Sequence, residues 1–462
     1  MSDSIASEIR AHFAHQNNEP LRENQIFLVG SNPLPVAIVA LALQPQTAYL
    51  VYTPEVRLRV ERLAALLRQS KSKVHFIELR SAQDAHKIRQ DLDGYRQLFS
   101  VAGLFYTGGT KVMSVQVHAF WRGCQVDGAM QHACSLGSDG VLRFDNGNVV
   151  VPLTTAPKFT LEQLCQLHTG LLFKTSHRFD LSTNQSNPAP DPPEVALAND
   201  IVAHICAIDA EKAQEAKQRM ALYQSGLPPM YGQAKCTLGL PVGHQVEKPP
   251  EVRCTYQAAD EANFGESAAF TRWPIRTAPE LSVVPTHLDE LAQKLFQKAI
   301  PQSGSERRKL RKKTAQWLWS EWLELWLAGF LAKLTEWDDR SPMFHEVFQN
   351  VELKKDSDSF FEADVVAVRG PTAHLFSCTV DTTKSLVKGK LFEAVQRASQ
   401  MGGDHARVAV FSLMDAPENV SKTIQDEGWE GYDTARVFGM VHLLDHVRFT
   451  EELRTWILGR NR

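Results

Sequence analysis

The chain has 462 residues, 43% of them hydrophobic, which points to two or three globular units with sizeable cores. Its 50 basic and 53 acidic side chains nearly cancel, which excludes a uniformly basic nucleic-acid coat and leaves only a local basic patch open. Seven cysteines, an odd count with no C-x-x-C pair, argue against a disulfide framework or zinc ribbon and for a reducing cytoplasm. The polar start of the chain shows no signal peptide. The apolar stretch from Leu34 to Leu43 is too short for the roughly 20 residues that cross a bilayer, so no membrane partner is expected.

In chain order, Ile26-Phe27-Leu28-Val29 predicts a short buried strand running straight into Gly30-Ser31-Asn32-Pro33. An apolar helix over Leu34 to Leu43 follows, then a strand at Ala48 to Tyr52, a helix from Glu55 to Gln69 and a strand at Val74 to Leu79. Leu104-Phe105-Tyr106 predicts a fourth strand, ending in Thr107-Gly108-Gly109-Thr110. Strands alternating with helices are the pattern of a doubly wound, mostly parallel sheet. Asp180 to Val195, rich in Ser, Asn and Pro, reads as a linker, and residues 200–285 keep no clear period. Helical stretches over 288–300 and 305–336 lead to strands near 361–368 and 373–378, a helix over 386–401 and a strand over 406–412, a second α/β unit.

Two glycine-bearing loops thus sit at the carboxyl ends of parallel strands, where open α/β sheets bind ligands. Gly30-Ser31-Asn32 offers backbone N–H groups and small polar side chains. Thr107-Gly108-Gly109-Thr110-Lys111 does the same and adds a cation. Glycines let the backbone approach a phosphate, and a following helix N-terminus favours its charge. The second loop matches neither G-x-G-x-x-G nor the P-loop, so neither a dinucleotide nor an ordinary nucleoside triphosphate is the default ligand. A tight strand-to-helix turn is the competing reading of both loops.

These residues carry a resemblance. Leu28 to Pro35, Tyr49 to Pro54 and Tyr106 to Met113 resemble a CRISPR-associated Rossmann-fold (CARF) domain of the kind joined to a PD-(D/E)xK-type nuclease domain. The resemblance covers residues 24–150 strongly and 288–415 more weakly. It implies a CARF unit over 1–180, a connecting region over 181–285 and a restriction-endonuclease-like α/β unit over 286–462. It also implies a homodimer that binds cyclic oligoadenylate, with cyclic tetra-adenylate the expected ring. Gly30, Ser31, Asn32, Thr107, Gly108, Gly109, Thr110, Lys111 and Met113 would line the ligand, and DNA or RNA would be the substrate.

Metal-dependent phosphodiester hydrolysis needs carboxylates around a divalent cation, Mn or Mg, and a lysine near the attacking water. By the same resemblance, Glu324 matches the family's helical acidic residue and Asp364 its strand aspartate. Glu362 shares a strand face with Asp364. The next strand departs from the family: Ser377 stands at the place of the Glu, and Thr379 at the place of the Lys, in Glu-x-Lys. Lys390 and Glu393, three apart on the following helix, share a face and are the expected replacements. A solvated ion pair is their plainer reading. The expected set is therefore Glu324, Asp364, Lys390 and Glu393 for catalysis, with Glu324, Asp364 and Glu393 on the metal. Lys384 and Lys388 stand nearby.

Arg307-Arg308-Lys309-Leu310-Arg311-Lys312-Lys313 concentrates positive charge at a helix start, with Ser303 and Glu306 spaced as a capping box. It reads equally as a nucleic-acid patch or as a solvated helix start. Trp319, Trp322 and Trp326 at helical spacing, with Trp317 just before them, read as a core stripe rather than a stacking platform. Cys378 reads as a small core residue. Three functions follow: an activated nuclease, a sensor whose second unit only binds nucleic acid or a partner, or a sensor that cleaves its own activator with Lys111 stabilising the developing charge.

Overall fold

In the computed structural model, two sheets organise the chain. The structure describes residues 21–125, 193–206 and 321–336. It also describes 132–179 apart from 138, 146–149 and 154–156, then 341–459 apart from 356–357, 380–381 and 428–433, and scattered residues elsewhere. The expected connecting region over 181–285 and the helix expected over 288–300 fall mostly outside these.

The first sheet has strands β1 (Asn24–Leu28), β2 (Thr47–Tyr52), β3 (Lys73–Glu78) and β4 (Gly103–Phe105), all parallel, in the order β3-β2-β1-β4. Period-two alternation splits β1 between two cores: Phe27 and Val29 face one, Ile26 and Leu28 the other. Helices therefore cover both faces. Helix α1 (Leu34–Leu43) is apolar all round and is buried except at Pro35 and Leu41. It stops at Gln44, whose φ of 47° turns its N–H back onto the Ala40 carbonyl. Helix α2 (Arg57–Gln69) is amphipathic and buries Val60, Leu63, Ala64, Leu66 and Leu67. Helices α3 (Ala85–Leu92), α4 (Arg96–Val101) and α5 (Lys111–Cys124) follow. Beyond β4 the sheet gains β5 (Ala133–Leu136), parallel to it, then antiparallel β6 (Val141–Phe144) and β7 (Val150–Pro152).

The second sheet is mixed. Its strands are β8 (Leu172–Arg178), β9 (Glu346–Lys355), β10 (Asp358–Arg369), β11 (Thr372–Thr379), β12 (Arg407–Ser412) and β13 (Ala435–Phe438), in the order β13-β12-β11-β10-β9-β8. The neighbouring pairs from β8 to β11 are antiparallel, and β11, β12 and β13 run parallel. β8 pairs with β9, so a strand within residues 1–180 belongs to the second sheet. Its sequence carries no clear apolar–polar alternation, and strand pairing is a long-range property that local pattern does not encode.

Helices α6 (Leu161–His168), α7 (Pro193–Cys206) and α8 (Trp322–Lys333) precede β9 in the chain. Helix α9 (Lys384–Gly402) packs on β11 and β12, and α8 packs on β9 and β10. The chain continues through α10 (Glu418–Asp426), α11 (Met440–Leu444) and α12 (His446–Ile457). The Trp reading holds where it is described: Trp317, Trp322 and Trp326 are all buried in the core of the second sheet.

The two units dock firmly. Helix α6 opens with a complete capping box from Thr160 and Gln163 and packs against both α2 and α9. Leu161 N–H donates to the buried Glu346 carboxylate at 2.7 Å, and Arg62 donates to the His168 carbonyl at 2.8 Å. Leu164 and Leu167 share one continuous core with Val368, Leu375 and Met401.

Candidate functional site

In the first sheet, chain order reverses at β1: β2 and β3 lie on one side and β4 on the other. The loops after β1 and β4 therefore meet at the topological switch point, the crevice where such sheets take ligands. Their contact requires glycine. A Cβ on Gly30 would stand 2.5 Å from the Gly109 nitrogen, and one on Gly108 would stand 1.8 Å from the Leu28 carbonyl oxygen. Gly109 has a φ of 78°, in the left-handed region that glycine adopts freely.

The hydroxyls of this cradle are largely committed to building it. Thr110 caps α5: its Oγ1 accepts from Met113 N–H at 3.2 Å and donates to the Ala82 carbonyl at 2.6 Å. Thr107 Oγ1 accepts from Leu136 N–H at 2.7 Å. Asn32 Oδ1 accepts from Leu34 N–H at 3.1 Å, so it shapes the start of α1. Ser31 and Lys111 are exposed, and Lys111 stands at the first position of α5 without an ion-pair partner among the described residues. Met113 is 2% exposed and packs inward, so its side chain belongs to the core while its N–H serves the cap.

Sequence reasoning passed over a hydrogen-bonded trio beside this loop. Tyr106 donates to Asp145 Oδ1 at 2.7 Å, and His118 Nε2 lies 2.8 Å from Asp145 Oδ2. Burial, then the Asp145 hydrogen bond, pushes the Tyr106 phenol up to about 12. With Ser114 and Arg122 these residues line a cavity of about 530 Å³. Nothing in the local pattern links Asp145 to a loop thirty-odd residues earlier.

In the second unit, α8, β9, β10, β11 and α9 bring together a polar cluster, part buried and part half-buried, around Cys378. Glu324, 7% exposed, accepts from Gln349 Nε2 at 3.3 Å. Asp364 Oδ2 accepts from the Ser377 hydroxyl at 3.0 Å and from Cys378 N–H at 2.6 Å. Lys390 reaches across from α9 to the Cys378 carbonyl at 3.4 Å. Burial drives the Cys378 thiol well above its usual range; the Asp364 and Glu324 charges raise it further, while Lys390 opposes. A thiol so held is no nucleophile at neutral pH, in keeping with its reading as core.

Glu393 is placed differently. It is exposed and pairs with Arg397, which also donates to the Glu362 carbonyl. Two further carboxyls approach instead. Burial, then repulsion from Asp364 and Glu352, raises Glu362, and burial with a Glu362 contribution raises Glu321, one turn before Glu324. No three His, Cys, Asp or Glu side chains among the described residues stand close enough to cage a metal ion. Of the basic run, Arg307, Arg308, Arg311 and Lys312 lie outside the described residues, as does Trp319. Lys309 and Lys313 are exposed, and Lys313 Nζ sits 4.3 Å from the Phe296 ring centre.

Fold and loops together define a two-unit α/β protein: a Rossmann-like unit with a glycine cradle at its switch point, docked on a mixed sheet with a half-buried carboxylate–lysine cluster. The chain matches Can2 from Sulfobacillus thermosulfidooxidans, solved in complex with cyclic tetra-adenylate, at a TM-score of 0.56 and 15% identity, over 94% of this chain and 99% of Can2. It matches protein VC1899 from Vibrio cholerae at a TM-score of 0.56 and 12% identity, over 94% and 98% of the two chains. At these identities the likeness establishes a shared fold along nearly the whole chain. A type III CRISPR defence DNA nuclease activated by cyclic oligoadenylate aligns at a TM-score of only 0.44 and 15% identity, over 84% of this chain and 45% of its own. No protein-family model matches the chain, and no curated protein matches it by sequence.

Proposed function

We propose that the chain is a nuclease of type III CRISPR antiviral defence, activated by cyclic oligoadenylate and dependent on a divalent metal, working as a cytoplasmic homodimer. Cyclic tetra-adenylate, the ligand of the fold-sharing Can2 structure, would bind over the Gly30–Asn32 and Thr107–Lys111 loops. Backbone N–H groups and Lys111 are suited to its phosphates. A two-fold axis would supply the same two loops from a second copy. DNA or RNA is the substrate class for the second unit.

The observation that carries the catalytic half is the reach of Lys390 to the Cys378 backbone, which also binds Asp364. Thr379 cannot supply the positive charge of Glu-x-Lys; an ammonium arriving from α9 can. Glu324 and Asp364 would hold Mg or Mn, and their all-oxygen donor set suits either ion, with water and substrate phosphate completing the shell. When bound, the metal supplies Lewis-acid polarisation and water activation. Within the chain, Ser377 and Cys378 N–H fix the Asp364 carboxylate, Gln349 orients Glu324, and Lys390 offsets charge developing on a transferred phosphate. Glu393 would join only by leaving Arg397.

The deciding experiment incubates the chain with each cyclic oligoadenylate, manganese and mixed nucleic acids, resolving activator and substrates on one gel. Activator-dependent cleavage is expected, with Asp364→Ala abolishing it and leaving activator binding intact. Cleavage unchanged in Asp364→Ala would remove this site. Tight activator binding with no cleavage under any divalent metal would leave a sensor whose second unit only binds.

A further inference from the structure

A cavity of about 580 Å³ opens on the seam between the two units. Its walls come from segments far apart in sequence: the β5–β6 turn, the β10–β11 turn, the start of β12 and the residues just after α12. Two guanidiniums face it. Arg369 is 8% exposed; its Nη2 lies 2.9 Å from Glu336, and its Nε has no hydrogen-bond partner. Arg407 is partly buried, donates to the Trp456 carbonyl at 2.6 Å, and meets no carboxylate among the described residues. Gly459 makes room for it: at a φ of 65°, a Cβ there would stand 2.7 Å from Arg407 Nη2.

The acidic groups of the wall among the described residues, Glu336 and Asp139, are already taken. Glu336 pairs with Arg369, and Asp139 pairs with Arg143 at 2.5 Å. Among the described residues, one positive charge is thus left over in a concave, partly buried space. Burial, then the nearby Arg436 and Arg369, pushes the Arg407 guanidinium below its usual range. A cation so placed is costly unless an anion joins it. Guanidinium forks match phosphate oxygens two at a time. The volume falls in the range of roughly 300–1,000 Å³ that takes small ligands.

We propose that this seam cavity is a second binding site, for a phosphate-bearing small molecule up to nucleotide size, anchored by Arg407 with Arg369 beside it. Its position links it to the first site. Leu136 on its wall donates its N–H to Thr107, and Ile38 on its wall lies on α1, which starts just after Asn32. An occupant would bias both signal loops, and a ligand in the loops would change affinity at the seam by the same factor.

The test is isothermal titration calorimetry of the full chain with inorganic phosphate, pyrophosphate and AMP at constant ionic strength. It is repeated in Lys111→Ala to weaken phosphate binding at the loops. Saturable binding is expected in both, weakened about tenfold or more by Arg407→Gln. Tighter AMP than phosphate assigns a nucleotide; equal affinity assigns free phosphate. Phenylglyoxal labelling of Arg407 in the unsubstituted chain, read by peptide mass, needs no variant and is expected to fall when pyrophosphate is present. No saturable binding of any probe at millimolar concentration, binding indifferent to Arg407→Gln, or labelling indifferent to pyrophosphate overturns the proposal.

Discussion

Two lysines separate the two halves of the proposed function at the scale of single residues. Lys111 is exposed at the first position of α5, where a cation near a bound phosphate adds to the pull of the helix N-terminus. Lys111→Ala is expected to weaken cyclic tetra-adenylate binding by about 10- to 100-fold, the size of a charge-assisted hydrogen bond. An unchanged Kd by calorimetry would place the ring elsewhere. Lys390 belongs to the other half. Lys390→Ala is expected to lower cleavage by at least about 100-fold at unchanged activator affinity, because a group that stabilises developing charge acts on kcat. Cleavage at the unsubstituted rate would return Lys390 to the plain role of binding the Cys378 carbonyl.

Helix α6 matters most among the elements, because it contacts both units. Its capping box fixes where it starts, and Leu161, Leu164 and Leu167 bury its inner face. Leu164 is fully buried. Leu164→Ala is expected to cost about 2–5 kcal/mol, from the lost transfer energy and the cavity left behind. The same change loosens the joint through which loop binding would reach the second sheet. Urea unfolding checks the stability, and the activator dependence of cleavage checks the coupling. A loss under about 1 kcal/mol would mean that the helix relaxes into the space and is no rigid bridge between the two units.

For the whole molecule, the seam is expected to contribute to the response to acid. His374 is 1% exposed, packed edge-on to the Phe344 and Trp456 rings, with Arg407 and Arg369 nearby. Burial first, then those two cations, push its imidazole down to about 3 from 6.5. The folded chain therefore keeps His374 neutral where the unfolded chain would protonate it. Its contribution to stability is present above 6.5 and is lost as pH falls toward 3. The slope over that window is at most about 1.4 kcal/mol per pH unit from this group. In His374→Phe the acid limb of stability against pH, measured as urea midpoints, is expected to flatten. Identical acid limbs in the two chains would assign the acid sensitivity to other groups.

The sequence by itself determined the strands β1 to β4, the helices α1 and α2 between the first three of them, and the positions of both glycine loops; α3 and α4, between β3 and β4, came only with the structure. Alternation and turn chemistry are local, and glycine tolerates the close approaches those loops require. It also placed Asp364 and Glu324 on the right elements and located Lys390 on the helix after the missing Glu-x-Lys. Only the tertiary structure decided what those residues meet. It turned the Thr107 and Thr110 hydroxyls into supports of the cradle, put Met113 in the core, and tied Glu393 to Arg397. It moved β8 into the second sheet and gathered Tyr106, His118 and Asp145. It also set Arg369 and Arg407 on one seam. The reason is the same in each case: pairing and burial join residues tens to hundreds of positions apart, and no local pattern records which partner a side chain will find.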